Sequence, residues 1–560
     1  MPVNRCGSRA ILLLIVLMIA WMDSEALAQR SELGVVDFQT SGSEKAQAHF
    51  LRGVAALHSF WYEEALEAFR ESTKVDPEFM MGYWGEAMAL NHPIWHEQDA
   101  EAARKVLAKI KGIEKLTPRE RAYLDAVRVL YGEGDKLARD KAYSAAMEKI
   151  HRDYPDDLEA ASFYALSLLG LVRPGDKGFV RQMRAGAVAL DVYQKNPDHP
   201  GAAHYVIHAF DDPEHAILAL PAARRYAEIA PEAHHARHMP SHIFIQLGMW
   251  PEAAASNESA WAVSDAWVKR KSLPISLRDY HSLSWLLYVY LQQGRQEKAA
   301  DLLSQMQKDI EQSAAVRQRG YASMAAAFVV ETQRWDLATK LFDETEAEDQ
   351  WRSSKDKSGM HSTHDAASKP SDKAGVSRSR GGYLQTFIRG LAAASAGAQT
   401  EVQKMTAELR AIRQDLEKEN PYRAKLVQIM ELEVAATASA AKKNYAEAIE
   451  LMKRATALEE EMSPPSGPPE VIKPSHELFG EILLRAGRHA EAAQQFATAL
   501  LRQPNRARSL LGAARSAAQG GDQAGAQAAY ADFLRIWEKA DAQLPELNEA
   551  RNYMARASAR

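Results

Sequence analysis

A repeated pattern limits this chain to one kind of architecture. Glycine, alanine, an aromatic residue and proline follow one another at the same offsets near both ends of the sequence. The first copy consists of Gly53, Ala65, Phe69 and Pro77. The second copy consists of Gly480, Ala492, Phe496 and Pro504. One period of 34 residues later, Ala526 and Tyr530 repeat the alanine and the aromatic residue. A fixed period of this length predicts a stacked array of small helical units and not a single globular core.

This pattern resembles the tetratricopeptide repeat, in which small residues stand where two helices cross and proline closes the second helix. The resemblance implies an all-α fold, a right-handed superhelical array of antiparallel helix pairs. The physical argument points the same way, because one helix pair cannot bury its apolar face alone. A local signal also agrees: Thr117-Pro118-Arg119-Glu120 is typical of a capping box at the start of a helix.

The N-terminus has the pattern of a secretory signal peptide, residues 1–28. Arg5 and Arg9 precede an apolar run at 10–22, and Ala26 to Ala28 supplies small residues for cleavage before Gln29. The run is shorter than the roughly 20 residues of a membrane-spanning helix, so cleavage is favoured over a retained anchor. We therefore expect an exported protein, periplasmic or secreted, with no transmembrane segment after cleavage.

Two further segments interrupt the helical pattern. Residues 351–382 are polar, rich in Ser and Lys and without apolar periodicity, which predicts a flexible insert. This insert separates an N-terminal array at 29–350 from a C-terminal array at 383–560. Ser463 to Pro469 (SPPSGPP) predicts an extended turn that no helix crosses.

The chain has one cysteine and 18 histidines among its 560 residues. Cys6 lies in the predicted signal peptide, so the exported chain has no thiol for a disulfide or a thiolate metal site. Any metal must be bound by histidine and carboxylate. The formal net charge of −5 gives no basic surface, which argues against nucleic acid as a partner.

The histidines are concentrated and regularly spaced. Eight of them fall within 44 residues: His199, His204, His208, His215, His234, His235, His238 and His242. His204 and His208 are four residues apart and share one helix face, as do His238 and His242. The two pairs are separated by 34 residues, one repeat period. They therefore occupy equivalent places on consecutive repeats.

In tetratricopeptide repeats these places line the concave groove and hold ligands, so the resemblance implies a binding site here. The same register puts His235 and His281 at groove-facing second positions, and two aspartates lie one turn beyond His208. The predicted ligand-binding groove consists of His204, His208, Asp211, Asp212, His235, His238, His242 and His281.

Three functions fit this pattern. The favoured one is a protein that binds a partner peptide or another ligand in the groove. The second is a metal-dependent enzyme, a hydrolase or an oxidoreductase, with zinc, copper or iron as its cofactor and Asp212 or Glu214 as the base. The metal ligands would be His204, His208, His238 and His242. The third is an assembly scaffold in which the histidines only pack. Because HExxH, P-loop and GxSxG motifs are absent, we favour a binding protein over an enzyme.

Three longer stretches resemble a group of exported bacterial tetratricopeptide proteins with His-rich repeats. They begin at His199 (HPGAAHYVIHAFDDPEHA), Asn91 (NHPIWHEQ) and Gly467 (GPPEVIKPSHELFGE). This resemblance implies an architecture and no particular reaction, because one fold hosts many functions.

Overall fold

The structure is a computed structural model that describes residues 32–176, 178–342 and 382–558. The predicted signal peptide lies outside the described residues. So does the predicted insert 351–382, apart from Gly382, where a helix begins.

The described residues before 343 form helices and one small hairpin. Helices α1 to α17 are Glu44–His58, Tyr62–Val75, Met80–Met88, Ala100–Leu107, Pro118–Leu130, Lys136–Asp153, Leu158–Leu169, Val180–Lys195, Pro200–Ala209, Ala216–Ile229, His234–His238, Pro240–Gln246, Trp250–Arg270, Tyr280–Gln292, Gln296–Gln312, Tyr321–Thr332 and Leu337–Lys340. Short 3₁₀ helices span Pro93–Trp95, Ile113–Lys115, Ile275–Leu277 and Ala314–Arg319. Strands β1 (Asn91–His92) and β2 (Glu97–Gln98) pair antiparallel within the NHPIWHEQ stretch.

The C-terminal part continues the same architecture. Helices α18 to α26 are Gly382–Ser395, Gln399–Glu419, Pro421–Ala441, Tyr445–Glu460, Ser475–Arg485, His489–Arg502, Ala507–Gly520, Gln523–Ile536 and Pro545–Ser558. Consecutive helices pack against each other along the chain. The predicted fold class, all-α helix pairs stacked into a superhelix, is confirmed. The predicted capping box at Thr117 is confirmed as well, with both of its hydrogen bonds formed.

The repeated glycines and phenylalanines explain how the helices approach each other. A Cβ atom on Gly53 would lie 2.7 Å from the Phe69 ring, and one on Gly85 would lie 2.3 Å from the same ring. Phe496 is enclosed in the same way between Gly480 and Gly512, at 2.8 and 2.3 Å. Each ring thus fills the crossing of three helices because both glycines lack a side chain.

The two parts of the array are joined through a buried arginine. Arg506, just before α24, is fully buried and donates to Glu477 of α22 with an Nε–Oε2 distance of 2.8 Å. It also donates to Glu331 of α16 at 2.6 Å and to the Tyr288 hydroxyl of α14 at 3.0 Å. These bonds tie the C-terminal helices to the N-terminal array.

The first repeat folds back onto the histidine-rich repeats. The backbone carbonyl of His58, at the end of α1, accepts a hydrogen bond from His204 Nδ1 on α9 at 2.7 Å. The loop after α1 therefore lies over α9 and places Phe60 against the His204 ring, with centroids 4.3 Å apart. None of the helices in the described ranges is both long and apolar enough to cross a membrane.

We expect Gly512→Ala to lower the free energy of unfolding by about 1–3 kcal/mol, because the added methyl group overlaps the enclosed Phe496 ring. Gly520→Ala, in the same helix, is the matched control. Its Cβ would make only an ordinary 3.5 Å contact, and alanine favours a helix over glycine by about 1 kcal/mol. Calorimetric melting of both variants measures the difference; equal melting temperatures would contradict the packing account.

Candidate functional site

Six histidines lie together in two sets of three. The first set is His204, His208 and His235, and the second set is His238, His242 and His281. Within each set, one ligand atom from every residue lies within 4.8 Å of the others. The sequence grouped His204 and His208 with His238 and His242 around one point. The structure instead divides these pairs between two sets, and the second-position histidines, His235 and His281, complete them.

In the second set, hydrogen bonds fix how His238 is protonated. The Asn257 side-chain amide donates to the carbonyl of Ala253 at 2.9 Å, so its Oδ1 atom accepts from His238 Nδ1 at 2.7 Å. A neutral His238 therefore has a lone pair on Nε2. This lone pair faces His242 Nε2 at a distance of 3.1 Å.

His242 is held from its other side by Asp211. The distance between His242 Nδ1 and Asp211 Oδ2 is 2.6 Å, and Gln246 donates to the second oxygen of Asp211 at 3.2 Å. When the Asp211 carboxylate accepts the Nδ1 proton, His242 Nε2 also has a lone pair directed at His238. Two lone pairs at this distance repel each other unless a cation, either a proton or a metal ion, lies between them.

The first set has the same arrangement with a different anchor. The His58 carbonyl can only accept, so His204 carries its proton on Nδ1 and has a lone pair on Nε2. His235 Nε2 lies 3.2 Å from this atom. His208 Nε2, one helical turn away, is buried without a hydrogen-bond partner among the described residues. In the first set His204 Nε2 thus accepts from or faces His235 Nε2, and in both sets three ring nitrogens lie around a shared point.

Aromatic side chains cover the cluster. Trp285 lies against His242 with ring centroids 4.2 Å apart and against His238 at 4.8 Å. The proline-rich loop, Ser463 to Pro469, packs on the Trp285 indole, since a Cβ on Gly467 would be 2.3 Å from that ring. His204 and His238 are fully buried, whereas the sequence placed them along an open groove. One member of each set remains partly exposed, and these are His208 and His281.

Burial disfavours the charged form of four of the six histidines. It holds the pKa of His204, His238 and His242 well below the usual value and lowers the pKa of His208 to about 3. Burial also raises the pKa of the Asp211 carboxyl to about 7. His204, His208, His238 and His242 are therefore neutral near pH 7, the form in which histidine binds metals.

A third group shows the contrasting case. His58, Glu159 and His199 also lie within 4.8 Å of one another. His199 Nδ1 accepts from the Ala202 backbone N–H at 3.0 Å, so its Nε2 donates to Glu159 at 3.1 Å. His58 Nε2 donates to the other Glu159 oxygen at 2.6 Å, and its Nδ1 lies 2.8 Å from the Tyr205 hydroxyl. These ring nitrogens all have protein partners, which is a packing role.

The two predicted aspartates have different surroundings. Asp211 contacts the cluster through His242, as described above. Asp212 caps the next turn, accepting from the backbone N–H groups of Glu214 and His215 and lying 2.9 Å from His215 Nδ1. Glu214 is exposed. Neither Asp212 nor Glu214, the residues expected to act as the base, therefore contacts the six-histidine cluster in this geometry.

Sequence reasoning missed the residues that orient and cover the imidazoles. Asn257 sets the protonation of His238, the His58 carbonyl sets that of His204, and Trp285 covers the second set. Asn257 lies in α13, two helices after His238 in α11, and His58 is 146 residues from His204. No spacing rule relates these residues to the histidine pairs, so the sequence carried no signal for them.

We expect acid to destabilise the metal-free protein. The pKa of four buried histidines is lowered in the folded state, so the unfolded chain binds more protons below about pH 6.5. Each such histidine lowers the free energy of unfolding by up to about 1.4 kcal/mol for every pH unit below this value. Asp211, with a raised pKa, acts in the opposite direction but is one group against four.

The measurement is the melting temperature in chelator-containing buffers at pH 7.5 and 5.5. We expect a clear decrease at the lower pH and a smaller decrease in His208→Gln, which has one titrating imidazole fewer. A melting temperature that is constant or rises towards pH 5.5 would exclude neutral burial of the cluster.

Comparison with known proteins gives one family match. The family model of the tetratricopeptide repeat matches residues 46–79. No curated protein matches the sequence.

Three solved structures are similar to this chain over most of its length. The APC/C hetero-tetramer Cut9-Hcn1 has 10% identity and a TM-score of 0.33, covering 97% of this chain and 81% of that chain. Yeast Tom70 has 11% identity and a TM-score of 0.30, and the match covers 92% of this chain and 96% of Tom70. The Rap protein complexed with competence and sporulation factor has 14% identity and a TM-score of 0.33, covering 74% and 100%. These TM-scores are below 0.5, so the similarities say nothing about the ligand of this chain.

The matched residues 46–79 contain α2 and Phe69, the ring that Gly53 and Gly85 enclose. The same enclosure recurs at Phe496 in the C-terminal part of the array. The family match therefore covers one repeat unit, and stacked helix pairs continue the same kind of packing along the described part of the chain.

Proposed function

We propose that this protein is an exported tetratricopeptide-repeat protein that binds a transition metal ion, zinc or copper(II), at its histidine cluster. The observation that carries the proposal is the facing pair of His238 Nε2 and His242 Nε2, 3.1 Å apart, with Asn257 and Asp211 holding the opposite ring nitrogens. Metal-binding histidines have this arrangement, since the second ring nitrogen is bonded to an amide, carbonyl or carboxylate that fixes the ring.

The distances suit a metal ion. Zinc binds histidine nitrogen at about 2.0–2.1 Å, so two nitrogens at a tetrahedral angle lie about 3.3–3.4 Å apart. The corresponding distances are 3.1 Å between His238 and His242 and 3.2 Å between His204 and His235. In each set, one pair of ring nitrogens therefore already lies close to the spacing of two zinc ligands.

A metal ion explains more of the geometry than a shared proton does. A proton joins two nitrogens and gives a third imidazole no role. Each set nevertheless contains a third histidine, His208 in one and His281 in the other. Three imidazoles with one coordination position left for water are typical of a zinc site, and copper(II) accepts the same nitrogen ligands with higher affinity.

The repeats also support a broader role. Arrays of this kind are protein-binding scaffolds, and a protein or peptide partner remains part of the proposal. The burial of His204 and His238 favours a small ion over a peptide at the cluster itself. A partner would then bind elsewhere on the helical surface. A packing-only role for the histidines is the alternative that metal analysis tests.

We expect protein purified without a histidine tag to retain zinc or copper(II) after gel filtration. The double variant His204→Ala/His238→Ala removes one ligand from each set, and its metal content should fall at least tenfold. His215→Ala is the matched control, because His215 lies in the same segment but outside both sets. Elemental analysis measures the metal, and circular dichroism checks folding. A wild-type protein that binds neither ion would refute the proposed function.

A further inference from the structure

We infer that the cluster binds two metal ions, one in each set of three histidines, as a single dinuclear centre. This inference rests on the proposed metal-binding function. It goes further because it states how many ions bind and that they lie close to each other. The positions of the rings in both sets carry it: the six imidazoles form a continuous cluster, yet each set has its own three histidines and its own anchoring residues.

The spacing of the rings shows this continuity. Within the sets, centroids are 4.7 Å apart for His204 and His208 and 5.0 Å for His238 and His242. Between the sets, His208 lies 5.9 Å from His242, and His235 lies 6.0 Å from His238. The step from one set to the next is thus only about 1 Å longer than the steps within a set, so the two ions would be near neighbours.

Each set is nevertheless complete by itself. The first set is anchored through the His58 carbonyl, and the second through Asn257 and Asp211. No ring has to serve both ions, because each set supplies three separate imidazoles. If the cluster bound only one ion, three of its six buried or half-buried histidines would have no metal ion to bind.

His208 gives an independent indication for the first set. Its Nε2 atom is buried and has no hydrogen-bond partner among the described residues, although its neighbours His204 and His235 bond to each other. An unpartnered buried nitrogen costs stability, and a bound ion would supply the missing interaction. The ring nitrogens of His58 and His199 all have protein partners, so the group at Glu159 lacks this indication of a bound ion.

Copper(II) tests the inference, because its unpaired electron reports a neighbouring copper ion. We expect two copper ions per chain after dialysis against a weak chelator. The electron paramagnetic resonance signal of the fully loaded protein should be broadened or should integrate to fewer than two spins, since neighbouring ions couple magnetically.

Two matched variants assign the ions to the sets. His208→Ala weakens the first set and His281→Ala the second, and both residues are partly exposed, which limits the damage to packing. Each variant should retain one copper ion with an uncoupled signal that integrates to one spin. His215→Ala should retain two coupled ions.

The outcomes separate the inference from the proposed function. One copper ion in the wild-type protein would overturn the inference and leave the metal-binding function standing. Two ions with a full, uncoupled signal would overturn the shared centre. Absence of bound copper and zinc would overturn both proposals.

Discussion

The closure of the array depends on one buried charge. Burial alone would lower the pKa of Arg506, but the charges of Glu331 and Glu477 outweigh it and hold that pKa above its usual value. The guanidinium therefore stays charged in the interior, and it needs both carboxylates there. Since these lie on α16 and α22, the arginine joins helices that are far apart in the repeat order. A simple solenoid, in which each repeat contacts only its neighbours, has no such connection.

The same buried arginine also positions the residues that pack over the second set of histidines. Glu477 is in the first turn of α22, so the bond to Arg506 also fixes the loop that precedes this helix. In that loop the Pro465 carbonyl accepts from Gln246 at 2.7 Å, and Gly467 lies against the Trp285 indole. Trp285 in turn packs on the second set of histidines. The C-terminal part of the array therefore covers the second set, although all six histidines of the cluster come from the N-terminal part.

Local features of this architecture could be predicted from the sequence, and long-range ones could not. The glycine and phenylalanine pattern predicted the helix crossings, because those contacts lie within one repeat or between neighbours. The period of 34 residues related His204 to His238, and the register singled out His235 and His281. The division into two sets, the burial and the fixed protonation had no sequence signal. They arise where the first repeat and the proline-rich loop fold over the cluster, and repeat periodicity does not encode such contacts.

The difference between the three polar groups argues for function at two of them. The chain can satisfy buried histidines completely, as Glu159 does for His58 and His199. At the six-histidine cluster it instead leaves His208 Nε2 unpartnered and brings two Nε2 atoms to 3.1 Å. Each unsatisfied buried nitrogen costs about 1–3 kcal/mol, and uncompensated costs of this kind are expected at functional sites. Asn257 and Asp211 hold the rings in this arrangement rather than relieving it. A metal ion between the rings would bind the nitrogen lone pairs of His238 and His242 while Asn257 and Asp211 hold the opposite ring nitrogens.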